Sequence, residues 1–292
     1  MKLCLLACRV LWREFSRFAA DSAHEIHYRF LPQGLHVAPD RLRSELQAGL
    51  DEAEKEGFDR ILVGYGLCCL GTAGLRTRET PWVIPRAHDC ITFLLGSKER
   101  YQDYFNLHPH TYWYSPGWIE TGAQPSGRRL QESFAYYRDR FGEDNARYLM
   151  EQLEGWVRDY RRAAYVDLGV GGREAGLAYT RRCAEELGWE MEVLEGDSGL
   201  IRRFLNGPWN EAEFLEVPPG RTIRASGDGR VMGLTEEGQI NGVRVRAPAP
   251  LKSFLTDEKK EEKNHVQEDR KVVGSGRVDG SDVLLPRTAK GL

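Results

Sequence analysis

Short apolar runs alternate with amphipathic stretches along most of the chain. After Pro39-Asp40, Leu42, Leu46 and Leu50 recur four residues apart before Gly57, which predicts an amphipathic helix. The apolar runs predict buried strands, the main ones at Lys2–Val10, Glu25–Leu31, Ile61–Val63, Trp82–Pro85, Thr111–Ser115, Ala163–Leu168 and Trp189–Leu194. Strands that alternate with helices in this way predict an α/β fold: a mostly parallel sheet with helices on both faces, Rossmann-like, in one or two lobes.

Changes in residue composition along the chain predict four regions. The sequence predicts that residues 130–162 are helical and that residues 173–187 form a helix between two strands. After Pro218 the chain consists of short polar segments that are interrupted by glycine residues. Beyond Phe254 the chain has no aromatic residue and is rich in charge, which is typical of a mobile segment. We expect an α/β lobe at residues 1–125 and a helical and βαβ lobe at residues 126–220. A β-hairpin extension should follow at residues 221–250, and a flexible charged tail at residues 251–292.

Composition and charge narrow the classes of partner. The net charge is −3 and the pI about 6.2, so no overall field favours nucleic acid or an anionic membrane. No apolar run reaches the roughly 20 residues that cross a bilayer. Met1–Cys8 imitates the end of a lipoprotein signal, but it is too short for an export signal and Arg9 follows at once. We therefore expect a cytoplasmic protein that binds neither nucleic acid nor membrane.

Four potential metal ligands follow predicted strands. Cys8 ends the first strand, Cys68 follows Ile61–Val63, and His88 and Cys90 follow Trp82–Pro85. Ligands of α/β proteins bind at the carboxyl ends of the strands, so these four side chains are expected to converge. Three thiols and an imidazole suit Zn²⁺, and thiolates also suit an iron–sulfur cluster.

Ordinary packing is the alternative explanation for several of these residues. Cysteine behaves as a small hydrophobic residue, so Cys4, Cys8 and Cys69 could simply fill the core, and Cys183, on a predicted helix, is assigned to packing. Cys69, next to Cys68, could also alter the ligand set. His36 and the pair His108 and His110 are treated as spare candidates, solvated or structural.

Residues next to the four ligands supply the remaining site candidates. Asp89 could accept a hydrogen bond from His88 or cap a helix, and Arg86 could bind a carboxylate or phosphate or form a surface salt bridge. Both are candidates for a catalytic role, although no catalytic residue is assigned. The candidates for contact with a bound cofactor are the glycine-rich turn and two aromatic residues, namely Gly64, Tyr65, Gly66, Tyr114 and Trp118.

Longer motifs occur at Gly64–Cys68, Pro85–Thr92, Leu95–Tyr101 and Thr111–Trp118. These segments closely resemble the prokaryotic family called domain of unknown function 1638. Ala7-Cys8, Gln33–His36 and Gly207–Gly220 also match, so the resemblance covers roughly residues 1 to 220. Cys69 departs from the family pattern, which has glycine there. The resemblance implies no activity, and only a context alongside corrinoid-dependent methyl-transfer proteins.

Two functions from different classes are consistent with these residues. His88-Asp89-Cys90 resembles the His-x-Cys element of zinc enzymes that alkylate thiols, which indicates a metal-dependent thiol or methyl-group transferase. The alternative is a non-catalytic accessory protein of a corrinoid methyltransferase system, binding a metal, an iron–sulfur cluster or a corrinoid as carrier, chaperone or activator. A third hypothesis is a purely structural metal ion in an interaction protein. The expected partners are a small-molecule or corrinoid ligand and proteins of a methyltransferase system.

Overall fold

The computed structural model describes residues 1–122 and 124–235, which form a mixed α/β structure. The strands in these residues are β1 Lys2–Cys8, β2 Glu25–Leu31, β3 Arg60–Gly64, β4 Trp82–Pro85, β5 Thr111–Tyr114, β6 Arg162–Asp167, β7 Glu190–Glu195, β8 Phe214–Val217, β9 Ile223–Ala225 and β10 Met232–Leu234. The α-helices are α1 Trp12–Ala19, α2 Pro39–Glu54, α3 Ile91–Leu95, α4 Lys98–Leu107, α5 Pro116–Thr121, α6 Gly127–Phe141, α7 Glu143–Glu154, α8 Arg173–Leu187 and α9 Gly199–Asn206.

The larger sheet has five strands in the order β2-β1-β3-β4-β8. Its first four strands run parallel, and β8 pairs antiparallel with β4 at the edge. In the register of the parallel strands, Leu5 lies between Tyr28 of β2 and Leu62 of β3. The predicted mostly parallel sheet is thus confirmed, and the antiparallel edge strand β8 is an addition that the sequence pattern did not indicate.

Strand β1 is apolar on both faces because both faces of the sheet are covered. Its residues from Leu3 to Cys8 are all fully buried, as expected for an interior strand of a parallel sheet. Helix α2 begins with Pro39 at its first turn, where the missing N–H costs nothing. Leu42, Leu46 and Leu50 lie on its inner face and are fully buried in the core around this sheet.

A second, three-stranded parallel sheet has the order β5-β6-β7 and its own hydrophobic core. Helix α8 has the bounds that the sequence predicted. The predicted helical region 130–162 consists mostly of α6 and α7. Gly142 separates the two helices, because its φ of +80° is not helical and is readily adopted only by glycine.

The predicted hairpin region begins with β9 and β10, which pair antiparallel. The rest of that region, and the predicted tail at 251–292, lie outside the described residues. The Rossmann-like arrangement and the division into lobes stay predictions. No helix within the described part of the chain combines the length and the apolar character needed to span a membrane.

Candidate metal centre

The carboxyl ends of four neighbouring strands carry the candidate site. Strand β1 ends at Cys8, the turn after β3 contains Cys68, and Cys90 lies between β4 and α3. The short 3₁₀ helix Gln33–Val37, which carries His36, follows β2. Because β2, β1, β3 and β4 are parallel neighbours, all four segments meet at one edge of the sheet, where ligands of α/β proteins bind.

Three side chains at this edge place their donor atoms together. The Sγ atoms of Cys8 and Cys90 and a ring nitrogen of His36 lie within 4.8 Å of one another. Within this group, Cys8 Sγ lies 3.3 Å from His36 Nε2. Both cysteines are buried and His36 is half-buried, so the group is shielded from most of the solvent. Two thiols and an imidazole in one pocket are a donor set that can hold a metal ion.

Cys68 lies beside this group, and His88 faces away from it. The Cys68 thiol is buried and lies near enough to Cys90 to raise the pKa of the Cys90 thiol. The His88 side chain is exposed and does not belong to the group of mutually close donors. Its backbone carbonyl accepts a hydrogen bond from Cys68 N at 2.9 Å, which holds the two loops together. The structure therefore brings Cys8 and Cys90 together with His36, rather than His88, as the neighbouring imidazole, and Cys68 lies next to Cys90 outside this group.

Glycine at position 66 allows the two ligand-bearing loops to approach each other. A Cβ atom there would lie 2.7 Å from Asp89 N and 2.8 Å from Ala87 O, closer than side-chain atoms tolerate. At this separation Leu67 N donates to Ala87 O at 2.7 Å. Gly64 is equally confined, since a Cβ would lie 2.6 Å from the Cβ of Ala7. Gly66 thus lets the loop of Cys68 pack against the loop of Cys90, and Gly64 lets β3 pack closely against β1.

The electrostatics of the cysteines follow from their burial. Burial raises the pKa of Cys8 well above its usual range, and the neighbouring Cys90 raises it further. The pKa of Cys90 is also raised well above its usual range, mainly by the contact with Cys68, with burial adding to it. Burial lowers the pKa of His36, but Cys8 and Asp89 outweigh this effect and raise it. Without a cation the two thiols therefore stay protonated, and a divalent cation would supply the charge that their ionisation requires.

Asp89 and Arg86 both have well-defined partners. Asp89 accepts hydrogen bonds from Ile91 N at 2.9 Å and from the Tyr101 hydroxyl at 2.6 Å, so it caps the start of α3. Burial raises its pKa. Arg86 is only 5% exposed and donates to backbone carbonyl groups of β8, β10 and the segments beside them, rather than forming a surface salt bridge alone.

The three aromatic candidates for cofactor contact occupy different surroundings. Tyr65 is fully buried, its ring stacks on His36 with centroids 6.0 Å apart, and its hydroxyl faces the cysteines. Tyr114 is fully buried in the core of the second sheet, near Cys183. Trp118 is partly buried against the core of the first sheet. Of the three, only Tyr65 adjoins the metal donors.

His36 is the donor that sequence reasoning treated only as a spare candidate. The signal was present, because His36 follows the strand Glu25–Leu31 as Cys8, Cys68 and Cys90 follow theirs. The sequence pattern did not predict the order of the strands in the larger sheet. Only the pairing of β2 with β1, in which Leu31 lies opposite Cys8, brings His36 to the thiol.

Together these features define a class: an α/β protein with a Cys/His cluster that could hold a metal ion at the carboxyl edge of a parallel sheet. The chain belongs to the family described as "Protein of unknown function (DUF1638)", whose model matches residues 30–205. His36, Cys68 and Cys90 lie within the matched residues, whereas Cys8 precedes them. Neither the curated proteins nor the solved structures contain a match to the chain.

Proposed function

We propose that this protein binds zinc through Cys8, His36 and Cys90 and uses it to hold a substrate thiol as the thiolate. The observation that carries the proposal is the mutual proximity of the three donor atoms, all within 4.8 Å. Thiolates and imidazole are preferred zinc ligands in tetrahedral sites. Three protein donors leave the fourth position for another ligand, as catalytic zinc sites do.

The proposed reaction is the transfer of a methyl group to that thiol. Bound zinc favours the ionised form of a thiol, and the thiolate is the nucleophile. The substrate thiol gives its proton to solvent, and its sulfur forms a bond to the methyl carbon. The bond between that carbon and its carrier breaks, and both electrons of that bond stay on the carrier. We assign the carrier to the class of methylated corrinoids, delivered by a protein of a methyltransferase system.

A second candidate function is that of an accessory protein with a closed, non-catalytic centre. Cys68 favours it, because its buried thiol lies near Cys90 and could fill the fourth position. A closed site with four protein ligands is the structural type of zinc site. The same thiols could also hold an iron–sulfur cluster in a carrier or activator.

Metal analysis of the full-length protein, purified without oxygen, tests the proposal. We expect about one zinc ion per chain and no visible absorption, since Zn²⁺ is a d¹⁰ ion. Cys90→Ser should lower the zinc content sharply, because the serine hydroxyl does not ionise on binding. Cys183→Ser is the matched control, because Cys183 is equally buried but belongs to the core of the second sheet. A brown protein containing iron, or equal zinc contents in both variants, would contradict the proposal.

X-ray absorption at the zinc edge separates the open site from the closed one. The open site should show about two Zn–S distances near 2.3 Å, rising to about three when a small thiol is added. The closed site should show about three from the outset and no change with added thiol. In Cys68→Ser, the sulfur count should fall only if Cys68 is a ligand.

A further inference from the structure

The hydroxyl group of Tyr65 is buried beside the candidate metal centre. The residue is fully buried, and its hydroxyl has no hydrogen-bond partner of acceptable geometry among residues 1–122 and 124–235. In the parallel register of β1 and β3, Ala7 lies opposite Gly64, so the next residues along, Cys8 and Tyr65, leave the sheet side by side. The ring of His36 stacks on the phenol ring.

The groups around this hydroxyl are sulfur atoms. Burial raises the pKa of the Tyr65 hydroxyl well above its usual range, and the nearby thiols of Cys8, Cys90 and Cys68 raise it further. A neutral thiol is a weak acceptor, whereas an ionised sulfur accepts a strong, charge-assisted hydrogen bond. The thiol of Cys8 must lose its proton to bind a metal. The hydroxyl therefore faces a good acceptor only when the metal is bound.

We infer that Tyr65 is a positioning residue of the centre, whose phenol O–H donates a hydrogen bond to the Cys8 thiolate in the metal-loaded protein. This inference rests on the proposed metal site and goes beyond it. A donor that gains its partner only in the loaded state favours metal binding without contributing to the metal-free fold. Groups that bond to metal ligands in this way commonly change metal affinity by 10- to 100-fold.

The test compares Tyr65→Phe with Tyr165→Phe in the full-length chain. Tyr165 is the matched control, because it is also fully buried with an unpartnered hydroxyl, but it lies on β6 in the second sheet. Zinc affinity is measured by competition with a chelator, and thermal unfolding is followed in the metal-free proteins. A cobalt(II)-loaded sample of each protein reports the sulfur-to-metal charge-transfer band.

In Tyr65→Phe we expect zinc affinity to fall by about 10-fold or more. The charge-transfer band should move to longer wavelength, because a hydrogen bond lowers the energy of the sulfur lone pair and its loss reverses this. The metal-free melting temperature should stay equal or rise, since the variant removes an unsatisfied buried group. Tyr165→Phe should leave the affinity and the spectrum unchanged.

Two results would overturn the inference while leaving the proposed site intact. One is an affinity and a spectrum of Tyr65→Phe that equal those of the wild type. The other is a fall in the metal-free melting temperature with an unshifted band, which would make Tyr65 a packing residue only. If the wild-type protein itself binds neither zinc nor cobalt, the proposed function fails and the role of Tyr65 with it.

Discussion

Three consecutive residues with side chains, Cys68, Cys69 and Leu70, have φ angles of +46°, +55° and +68°. Each lies in the left-handed region, which costs a residue other than glycine roughly 1–2 kcal/mol. Such backbone persists where surrounding contacts fix it, and here the Cys68 amide is held by His88 O. The expected glycine at position 69 would relieve the middle position of this run. The structure thus gives a physical reason for the pattern from which this chain departs.

Cys69→Gly should therefore stabilise the protein without affecting the metal. The relief of left-handed strain outweighs the added freedom of the unfolded chain, so the free energy of unfolding should rise by about 0.5–1 kcal/mol. Zinc content should not change, because the Cys69 side chain is exposed and outside the donor group. Urea unfolding and metal analysis check the two parts. A loss of zinc in this variant would identify Cys69 as a ligand.

The two histidines near the site show how much of the ligand set could be predicted from the sequence. Residue spacing placed Cys8, Cys68 and Cys90 after strands, and the structure brings the thiols of Cys8 and Cys90 together, with Cys68 next to Cys90. For the imidazole, proximity in sequence favoured His88, because it lies two residues from Cys90. In the structure the loop uses the His88 backbone to bind Cys68 and turns the side chain outward. Long-range strand pairing, which local spacing does not encode, supplies His36 instead.

Replacing each histidine by glutamine distinguishes their roles. His36→Gln should lower zinc affinity by more than about 10-fold, since the loss of a ligand should exceed the loss of a group that supports one. His88→Gln should bind zinc like the wild type, because its ring is exposed and outside the donor group. Chelator competition provides the measurement for both. The reverse ranking of the two variants would restore His88 as the ligand.

At the scale of elements, Arg86 attaches the C-terminal strands to the parallel sheet. Its guanidinium donates to Glu211 O at 2.7 Å and Phe214 O at 3.2 Å, and also to Met232 O, so one side chain bonds β8, β10 and the segment before β8. Its pKa is lowered from its ordinary value by burial, and Glu211 opposes the effect. These contacts give Arg86 a structural role in the described residues.

Arg86→Met should accordingly destabilise the fold and spare the metal centre. Several carbonyl groups would lose their donor in a buried setting, so we expect the free energy of unfolding to fall by about 2–4 kcal/mol. The zinc content of the folded fraction should equal that of the wild type. Chemical denaturation with parallel metal analysis checks this. If zinc binding fell while stability held, Arg86 would belong to the site rather than to the scaffold.

Element boundaries were most predictable where local pattern alone decides them. Helix α8 and strand β2 have the predicted bounds, because a capped amphipathic helix and an alternating run are local signals. Strand β8 was missed: Phe214–Val217 is short, and only its antiparallel pairing with β4 makes it a strand. Helices α3 and α4 were likewise not predicted. In α3 all five residues are buried, so the helix has no polar face, whereas in α4 no residue is buried, so no apolar stripe marks it.

At the scale of the whole molecule, one buried acid couples the fold to pH. Glu14 on α1 is fully buried, and neither of its carboxyl oxygens has a hydrogen-bond partner among the described residues. It packs near Gly117 of α5, where an added Cβ would lie 3.4 Å from Glu14 Oε2. Burial raises the pKa of Glu14 to about 7. The carboxyl is thus held largely in its neutral form below that pH.

The sign of the pH dependence of stability follows from the pH range in which the folded and the unfolded chain each bind the proton of Glu14. Below the ordinary pKa of 4.5 the carboxyl is neutral in both the folded and the unfolded chain, so it exerts no penalty. Between pH 4.5 and about 7 only the unfolded chain ionises, and the free energy of unfolding falls as pH rises. Above about 7 both states are ionised and the penalty is constant, at about 3 kcal/mol from the size of the shift.

Glu14→Gln removes this penalty and keeps the shape of the side chain. The variant should match the wild type near pH 4.5, exceed it progressively up to about pH 7, and stay about 3 kcal/mol more stable above that. Unfolding of both proteins is measured across this range with a chelator present, because zinc binding to thiolates has its own pH dependence. Glu132→Gln is the control, since Glu132 is exposed, pairs with Arg128 and is not among the charges that act on Glu14. A stability difference between Glu14→Gln and the wild type that does not vary with pH would show that the carboxyl ionises normally in the folded chain.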